Sequence, residues 1–345
     1  MKTFKKIMGL MIVQCIAHCN FAIGQDAHLS QFDVSSLYLN AGMTGMYQGN
    51  YRAHITYRNQ WSSFVNNPWT TSVISYDMPF EKFGFGGFIV NNSAGVGGFN
   101  SLTVNASAAY EITQDPKLYN HLSVGLQLGF IHKNFDPANY VFDNQYSAEN
   151  EGGFDNNLPI GETFERTAVW MPESNMGIYY YNSNQHEKLT GFGGISLLHL
   201  TGPKESFLTT LDTENNLPRR VVVHGGAKYK FNSNLLLKPM LLYMRQQNVT
   251  EINFGVLGYY DLSSAYQMKS NRSRSSILLI FGASYRYMDA AILQMGIFYS
   301  DFEYRFSYDI NTSALSEISQ GKGGFELSII YKKPLTRKRP SIEIF

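Results

Sequence analysis

Apolar and polar residues alternate with a period of two along much of this chain. From Leu102 to Tyr110 every second residue is apolar or small, and the residues between them are mostly Thr, Asn and Ser. The same alternation recurs over residues 122–130, 220–231 and 302–308. Because successive side chains of a β-strand point to opposite faces, this pattern predicts strands with one apolar and one polar face.

The repeated pattern predicts about fourteen strands between residues 51 and 332, joined by turns rich in Asn, Asp and Pro. An even number of two-faced strands fits an antiparallel barrel with lipid outside and a polar inner face. The tight turns at residues 232–234 and near Met288 are predicted at one membrane surface. The long connections 136–172 and 201–217 are predicted at the other surface, which usually faces outside the cell.

Hydropathy leaves a closed β-barrel as the architecture that could span a membrane. After the N-terminal segment the chain has no apolar run of 18 or more residues, so the sequence offers no spanning helix. In hydrocarbon every backbone polar group needs a partner within the protein, which a closed barrel provides. The alternative is a soluble β-sandwich or propeller. A propeller needs a blade repeat, which the sequence lacks, and a sandwich of this length would be unusual.

Residues 1–24 have the layout of a secretory signal peptide. Lysines precede an apolar stretch, and the small residues Ala22 and Gly24 stand at the −3 and −1 positions of a cleavage site. We therefore predict cleavage after Gly24, with a short N-terminal anchor helix as the alternative. Cys15 and Cys19 both lie in this segment, so the mature chain would contain no disulfide, thiolate metal site or cysteine nucleophile.

Charge is nearly balanced, with a formal net charge of +1 and 16% charged residues. Basic residues form a run only over 332–339, so we predict no nucleic-acid partner. The basic tail, 333–345, is interpreted as a solvated end, with a contact to an acidic partner or lipid headgroups as the alternative. The first long connection is interpreted as a solvated loop, with a calcium or partner site as the alternative. Its acidic residues are Asp143, Glu149, Glu151, Asp155, Glu162 and Glu165.

Residue patterns typical of catalytic and metal sites are missing from the sequence. It contains no G-x-S-x-G elbow, no H-E-x-x-H motif and no Cys/His metal spacing. The histidines are scattered over different predicted strands and loops, where a single His usually has a structural role. We therefore predict that the protein is not an enzyme and has no cofactor and no metal.

Two arginines of the first predicted strand are candidates for a polar network in the lumen. Arg52 and Arg58 share a strand face and are predicted to point inward, in a cluster that includes Trp61. Buried arginines need partners. The candidate partners are Asp77, Asp289 and Asp301. This network is interpreted as one that rigidifies the barrel, with ligand binding as the alternative.

Short motifs spread over nearly all of the mature chain resemble one known family. The N-terminal motifs are Gln25-Asp26-Ala27-His28-Leu29-Ser30-Gln31-Phe32, Leu39-Asn40-Ala41-Gly42-Met43-Thr44-Gly45, Tyr57-Arg58-Asn59-Gln60-Trp61 and Ser75-Tyr76-Asp77-Met78-Pro79. Later motifs include Leu122-Ser123-Val124-Gly125, Gly177-Ile178-Tyr179-Tyr180 and Tyr285-Arg286-Tyr287. In this order they resemble the PorP/SprF family of the Bacteroidota type IX secretion and gliding systems. The chain departs from the family at Gly42, near which members commonly have Pro, and in its cysteine-free tail.

The resemblance implies a non-enzymatic component of the type IX secretion system in the outer membrane. Such proteins look like partners of a large secreted protein, for example an adhesin with a type B C-terminal domain, and some work with periplasmic components. We therefore expect the barrel, residues 51–332, to lie in outer-membrane lipid and to dock, help secrete or retain such a partner. Residues 25–50 are expected to fold into the lumen and block it. The alternative is an outer-membrane channel for a small or hydrophobic solute.

Overall fold

A computed structural model of the protein describes most of the mature chain. The described residues are 26–63, 67–95, 97–113, 119–147, 153–155, 157–161, 164, 166–205, 207, 216–262 and 277–334. The predicted signal peptide and the tail from residue 335 onward lie outside this part of the chain. So do four acidic residues of the first long connection, Glu149, Glu151, Glu162 and Glu165.

Fourteen long strands close into one antiparallel barrel, which confirms the predicted architecture and strand number. In chain order the strands are β1 (Tyr51–Gln60), β2 (Trp69–Phe80), β3 (Phe83–Ala94), β4 (Phe99–Glu111), β5 (Asn120–Asn134), β6 (Tyr146–Ser147), β7 (Gly153–Phe154), β8 (Ala168–Asn182), β9 (Leu189–Leu198), β10 (Arg220–Lys230), β11 (Leu235–Gln246), β12 (Val249–Asp261), β13 (Ile277–Arg286), β14 (Ala290–Tyr299), β15 (Phe302–Asn311) and β16 (Lys322–Lys333). The short strands β6 and β7 form a separate sheet, and β1 pairs with β16 to close the barrel.

The two faces of each barrel strand differ in chemistry as the alternation predicts. On β1, Arg52, Thr56 and Arg58 are buried, whereas Ile55 and Tyr57 are exposed. In a closed barrel the exposed apolar face meets lipid, and the paired backbone leaves no open edge. Arg52 and Arg58 therefore point into the lumen, as predicted.

Helical segments are short. They are helix α1 (Ser36–Leu39), helix α2 (Ser316–Ser319) and 3-10 turns at Ala41–Met43, Pro137–Asn139 and Asp143–Gln145. Helix α1 ends at Asn40, whose backbone is extended and leads the chain into the next 3-10 turn. Among the described residues, no helix is long and apolar enough to cross a membrane.

The two ends of the barrel carry different connections. The chain enters β1 and leaves β16 at one end, here called the terminal end, and the opposite end is called the loop end. The β5–β8 and β9–β10 connections both lie at the loop end, as expected. The turn near Met288 also lies there, whereas residues 232–234 lie at the terminal end, so the prediction that these turns share one surface is wrong. Three strands separate the two turns, and each strand crosses the barrel once.

The pairing between β8 and β9 is the shortest among the described barrel strands. It spans Met176–Tyr181 on β8 and Phe192–Leu197 on β9, whereas β8 pairs with β5 from Ala168 to Asn182. Beyond this short ladder the backbone N–H of His199 donates to the Asn175 side-chain oxygen at 2.9 Å. Individual hydrogen bonds therefore continue the β8–β9 seam towards the loop end.

Residues 26–50, here called the luminal segment, run inside the barrel and contribute to its apolar core. Leu29 and Leu37 pack against the wall formed by β2 and β3, through Val73, Phe88 and Val90. The opposite wall receives Phe32 and Leu39, which pack with Leu198, Val222, Met240, Leu242, Met244, Leu257, Tyr259 and Ile280. Because the segment packs against opposite walls of the barrel, apolar burial holds it across the lumen.

Candidate functional site

The candidate site is the interior of the barrel, where the luminal segment meets polar side chains from many strands. Ser123 Oγ donates to the Gly42 carbonyl at 2.6 Å, and Ser196 Oγ donates to the Leu39 carbonyl at 2.7 Å. Gln127 Nε2 donates to the Leu37 carbonyl at 2.8 Å. Inward-facing polar residues therefore satisfy backbone carbonyls that would otherwise be buried without partners.

Near the loop end, five side chains form a buried ionic group that we call the loop-end cluster: Ser30, Arg58, Arg286, Asp309 and Glu326. Arg58 reaches Asp309 at 2.9 Å and Glu326 at 3.2 Å. Arg286 binds the same Asp309 carboxylate at 2.8 Å. The Ser30 backbone N–H donates to Glu326 at 2.7 Å, and its hydroxyl donates to Asp309 at 2.6 Å. Two positive and two negative groups thus anchor the start of the luminal segment.

Nearer the terminal end, a second group holds Asp33 of the luminal segment. We call it the terminal-end cluster: Asp33, Lys238, Tyr259, Glu303 and Arg305. Lys238 Nζ donates to Asp33 at 2.8 Å, and Arg305 contacts both Asp33 oxygens at 3.1 Å. Arg305 also donates to Glu303 and, at 2.6 Å, to the Tyr259 hydroxyl. Burial alone would raise the pKa of Asp33, but Arg305 and Lys238 hold it well below its ordinary value.

The structure brings Arg52 and Asp77 together, two of the residues predicted to form a luminal network. Arg52 donates through Nε and Nη2 to the two Asp77 oxygens at 2.9 and 2.7 Å. The same carboxylate accepts the Gly45 backbone N–H at 2.8 Å, and Arg52 also donates to Ser36 Oγ at 3.1 Å. This two-pronged pair therefore binds the later part of the luminal segment.

Of the other predicted network residues, Arg58 belongs to the loop-end cluster and Asp289 contacts it, whereas Asp301 and Trp61 lie apart from it. Asp289 pairs with Arg286 at the rim of the loop end, and its side chain is 40% exposed. Asp301 lies in the β14–β15 turn, where its backbone carbonyl accepts the Lys332 N–H. Trp61 follows the end of β1 with φ of 65°, and its backbone N–H bonds the Gly323 carbonyl at 2.9 Å. Because the strand alternation stops at Gln60, parity no longer specifies where the Trp61 ring points.

Asn40 of the luminal segment contacts both sides of the short β8–β9 seam. Its side-chain N–H groups donate to the Ile178 carbonyl at 3.0 Å and, more weakly, to the Ile195 carbonyl at 3.4 Å. Gly177 lets this side chain approach, because a Cβ built there would lie 2.0 Å from Asn40 Oδ1. The luminal segment thus provides hydrogen bonds where the strand ladder is shortest.

At the start of the luminal segment, Asp26 meets His199, the residue that follows β9. His199 Nε2 lies 2.6 Å from Asp26, and its Nδ1 lies 2.8 Å from Glu173. Burial alone would lower the pKa of His199, but the two carboxylates raise it to about 9. A doubly bonded, protonated imidazole therefore links the luminal segment to β8 and the β9–β10 connection.

Sequence reasoning missed most of the residues that contact the luminal segment. Glu303 and Arg305 lie on the polar face of the pattern noted over residues 302–308, so the alternation alone could have identified them as inward. No comparable signal pairs Ser30 with Glu326 or Arg58 with Asp309, which are far apart in the chain. Within the described residues, no group of three or more His, Cys, Asp or Glu side chains is placed to hold a metal.

Two long connections form one surface above the loop end, which we call the loop platform. It comprises the described residues of 135–167 and 199–219. The ring of Phe135 packs edge-to-face on Phe164 at 5.2 Å and on Phe207 at 4.9 Å, so the two connections touch. The β6–β7 hairpin rises from this surface with Tyr146 and Phe154 55% and 52% exposed. The described part of the platform therefore presents exposed aromatic side chains to its surroundings.

Comparison with known protein families gives one match. A sequence profile of the family described as "Type IX secretion system membrane protein PorP/SprF" matches residues 22–331. No curated protein sequence matches the chain. Among solved structures, it is similar to the Pseudomonas putida toluene transporter TodX, with 9% identity, a TM-score of 0.49 and coverage of 90% of this chain and 95% of that chain.

Two further solved structures share this level of similarity. The Ralstonia pickettii toluene transporter TbuX has 11% identity and a TM-score of 0.47, with coverage of 87% of this chain and 93% of that chain. The CymD monoaromatic hydrocarbon channel has 11% identity and a TM-score of 0.45, with coverage of 91% of this chain and 96% of that chain. Similarities this low carry no argument about a solute.

Proposed function

Because this chain belongs to the PorP/SprF family of type IX secretion system membrane proteins, we propose that it retains a large secreted partner at the cell surface. The family and the closed barrel make it an outer-membrane component of that system. The proposal adds the way it acts: a plugged barrel whose loop platform faces outside and binds the partner's C-terminal domain. The protein performs no chemical step in this role.

The observation that carries the proposal is the luminal segment, which fills the barrel beneath the loop platform. The luminal segment bonds to β1, β2, β11, β13, β15 and β16 through the loop-end cluster, the terminal-end cluster and the Arg52–Asp77 pair. In these buried ion pairs the opposite charges neutralise each other, so opening any pair is costly. This suits a fixed plug rather than a gate. A barrel whose interior is occupied in this way offers its outer end, rather than its lumen, to a partner.

The loop platform has the composition of a docking surface. Exposed aromatic residues such as Tyr146 and Phe154 are typical anchors of protein interfaces, and polar residues of the same connections surround them. The second connection is also held to the barrel, since Lys133 at the end of β5 donates to Glu205 at 2.7 Å. A specific interface buries about 1,200–2,000 Å² in total, and two packed connections can offer such an area.

Substitution of the hairpin anchors tests the docking role. The double variant Tyr146→Ser/Phe154→Ser should release the secreted partner from cells into the medium and reduce its recovery with the purified barrel about tenfold or more. The matched control is Tyr287→Ser, because Tyr287 is 58% exposed at the loop end but lies outside the platform. Mass spectrometry of the medium and of the barrel's co-purifying proteins provides both measurements.

The outcome that would contradict docking is equally specific. If the double variant retained every surface protein at the wild-type level, the platform would not be the binding surface. Deletion of both platform connections would then decide whether any loop-end contact retains a partner. Unchanged retention of surface proteins after that deletion would refute the docking proposal.

A channel for small or hydrophobic solutes is the alternative function for this barrel. The luminal segment opposes it, since its apolar residues pack against opposite walls. In a planar lipid bilayer the wild-type protein should give no steady ion current, and deletion of residues 26–50 should give one. A steady current from the wild-type protein would favour the channel over the plugged barrel.

A further inference from the structure

Two arginines lie on the outer surface of the barrel wall at the loop end. Arg245 lies one residue before the end of β11 and is exposed, whereas Gln246 beside it is buried in the lumen. Arg219 directly precedes β10 and is exposed as well. Arg220, the next residue, points into the lumen, where it contacts the Tyr38 hydroxyl at 3.3 Å. Because successive residues of an extended chain point to opposite sides, Arg219 and Arg245 both face outward.

The ladder between β10 and β11 brings these two residues, here called the arginine pair, near each other. Arg245 lies directly opposite Val221, and Arg219 precedes Val221 by two residues. Gln246 Nε2 donates to the Pro218 carbonyl at 3.2 Å, which keeps the chain before β10 beside the end of β11. Residues in this diagonal relation have Cα atoms about 7–8 Å apart. Two long arginine side chains at this spacing can reach one anion.

Within the described residues, no carboxylate neutralises the arginine pair. Arg245 Nε donates to the Gln247 carbonyl at 3.2 Å, and no other hydrogen bond of this guanidinium is found there. Arg219 has neither a hydrogen bond nor an ion pair in the same part of the chain. Luminal arginines differ, since Arg58 and Arg305 bind carboxylates. The arginine pair therefore keeps donors that an anion outside the wall can use.

The depth of the arginine pair in the membrane indicates what lies beside it. Before Arg245, the outward positions of β11 are Leu235, Leu237, Pro239, Leu241 and Tyr243. The outward positions of β10 that follow Arg219 are Val221, Val223, Gly225, Ala227 and Tyr229. Each arginine lies ten residues from the far end of its row, which at about 3.3 Å per residue and a tilt of about 40° corresponds to roughly 25 Å of membrane thickness. The apolar band of outer-membrane barrels has this height, so both arginines lie at the level of lipid headgroups.

A lipid phosphate fits this position better than a carboxylate of a protein. The planar guanidinium donates two parallel N–H groups to phosphate oxygens, and two guanidinium groups can share one phosphate. Directly below the pair the wall is apolar, with Leu241 and Val221 51% and 38% exposed. Acyl chains attached to the phosphate cover this surface, whereas a docked protein segment would have to displace lipid from it.

We propose that the arginine pair binds the phosphate of a lipid headgroup in the leaflet at the loop end. With the loop platform facing outside, this leaflet is the outer one, and the lipid is a phosphorylated glycolipid of the lipid A type. Arg219 is also the last residue of the loop platform, so the bound lipid fixes one edge of the platform at the membrane surface. Only the choice of leaflet rests on the proposed function. Phosphate binding can therefore fail or succeed independently of partner retention.

Native mass spectrometry of the purified mature chain in a sugar-headgroup detergent tests the site, because such a detergent carries no phosphate. The probes are lipid A and the same lipid after enzymatic removal of its phosphates. The wild-type protein should bind the phosphorylated form, and Arg219→Gln/Arg245→Gln should weaken this binding about tenfold or more. Lys82→Gln is the control, because Lys82 is exposed in the β2–β3 turn at the terminal end. The Tyr146→Ser/Phe154→Ser variant should bind lipid A like the wild-type protein.

Each alternative result overturns the proposal. Equal binding of the dephosphorylated lipid would remove the phosphate requirement, and equal weakening by Lys82→Gln would indicate nonspecific charge attraction. Inorganic phosphate and a blocked triglutamate peptide serve as competitors. Displacement of lipid A by inorganic phosphate would mark a site for free phosphate, and displacement by triglutamate would mark a site for an acidic protein. If the double variant failed to fold, the two single variants would decide, and unchanged binding in both would refute the site.

Discussion

The two ionic clusters that hold the luminal segment differ in their surroundings. In the loop-end cluster, the side chains of Arg58, Arg286, Asp309 and Glu326 are at most 4% exposed and match one another in charge. In the terminal-end cluster, Asp33 is also paired, but all five members line a cavity with a volume of about 100 Å³. One cluster is sealed, and the other borders a space with additional cations.

This difference shows how one chain segment can be fixed at Ser30 and remain responsive at Asp33. A charge sealed from water needs its partner, because removal of that partner leaves an uncompensated buried ion. A charge beside a cavity can recruit water or an external anion instead. We therefore infer that the loop-end cluster fixes the luminal segment and that the terminal-end cluster tethers it.

The largest expected effect comes from removing one arginine from each cluster. Arg58→Met should lower the free energy of unfolding by about 3–5 kcal/mol, because Asp309 and Glu326 lose their shared cation. Arg305→Met should cost about 1–2 kcal/mol, since water in the cavity beside the cluster can solvate Asp33 and Glu303. Urea unfolding of the barrel in lipid vesicles measures both, with the exposed Lys322→Met as control. An equal or larger loss of unfolding free energy for Arg305→Met would contradict the proposed difference between the two clusters.

A glycine substitution tests how Asn40, which follows both clusters along the chain, holds the luminal segment at the β8–β9 seam. Gly177→Ala should destabilise the barrel by about 1–3 kcal/mol through overpacking against Asn40. Hydrogen exchange should rise in residues 38–44, because Asn40 must move away from the seam. Gly191→Ala is the matched control, since the nearest atom to its added Cβ would be 4.0 Å away. Equal exchange in the two variants would show that Asn40 does not hold the segment.

The last expected effect is a pH dependence from His199, which pairs with Asp26 at the start of the luminal segment. Because folding raises the pKa of His199 from 6.5 to about 9, its contribution is complete below pH 6.5 and is lost as pH rises through about 9. The wild-type protein should lose stability over this window relative to His199→Gln. Chemical unfolding at several pH values measures this, with the exposed His186→Gln as control. Parallel pH profiles for wild type and His199→Gln would refute the assignment.

Much of the barrel could be predicted because its pattern is local. Every strand that faces lipid on one side and the lumen on the other must alternate, so strand number and the inward direction of Arg52 and Arg58 follow from sequence. Trp61 shows where this reasoning ends, since the chain leaves the strand at Gln60 and adopts a positive φ. The Met288 turn shows a different limit. A tight turn can lie at either end of a barrel, and only the number of strands between two turns decides whether they share one end.

The partners within the candidate site could not be predicted in the same way. Asp309 and Glu326 meet Arg58 and Ser30 only because the register of β1, β15 and β16 brings their side chains to one height in the lumen. Asp77 was a candidate partner of Arg52 from sequence, and the adjacent register of β1 and β2 places the two directly opposite. Pairing of the remaining acidic residues depends on the path of the luminal segment.

The sequence by itself determined the class of fold, the two faces of the strands, the inward arginines and the family resemblance. These features follow from the two-residue period and from short motifs, which neighbouring residues along the chain specify. Only the tertiary structure decided which charges pair, which end receives each turn, and where the cavity beside Asp33 lies. Those features depend on strand register, barrel closure and the course of the luminal segment, which bring together residues far apart in the chain.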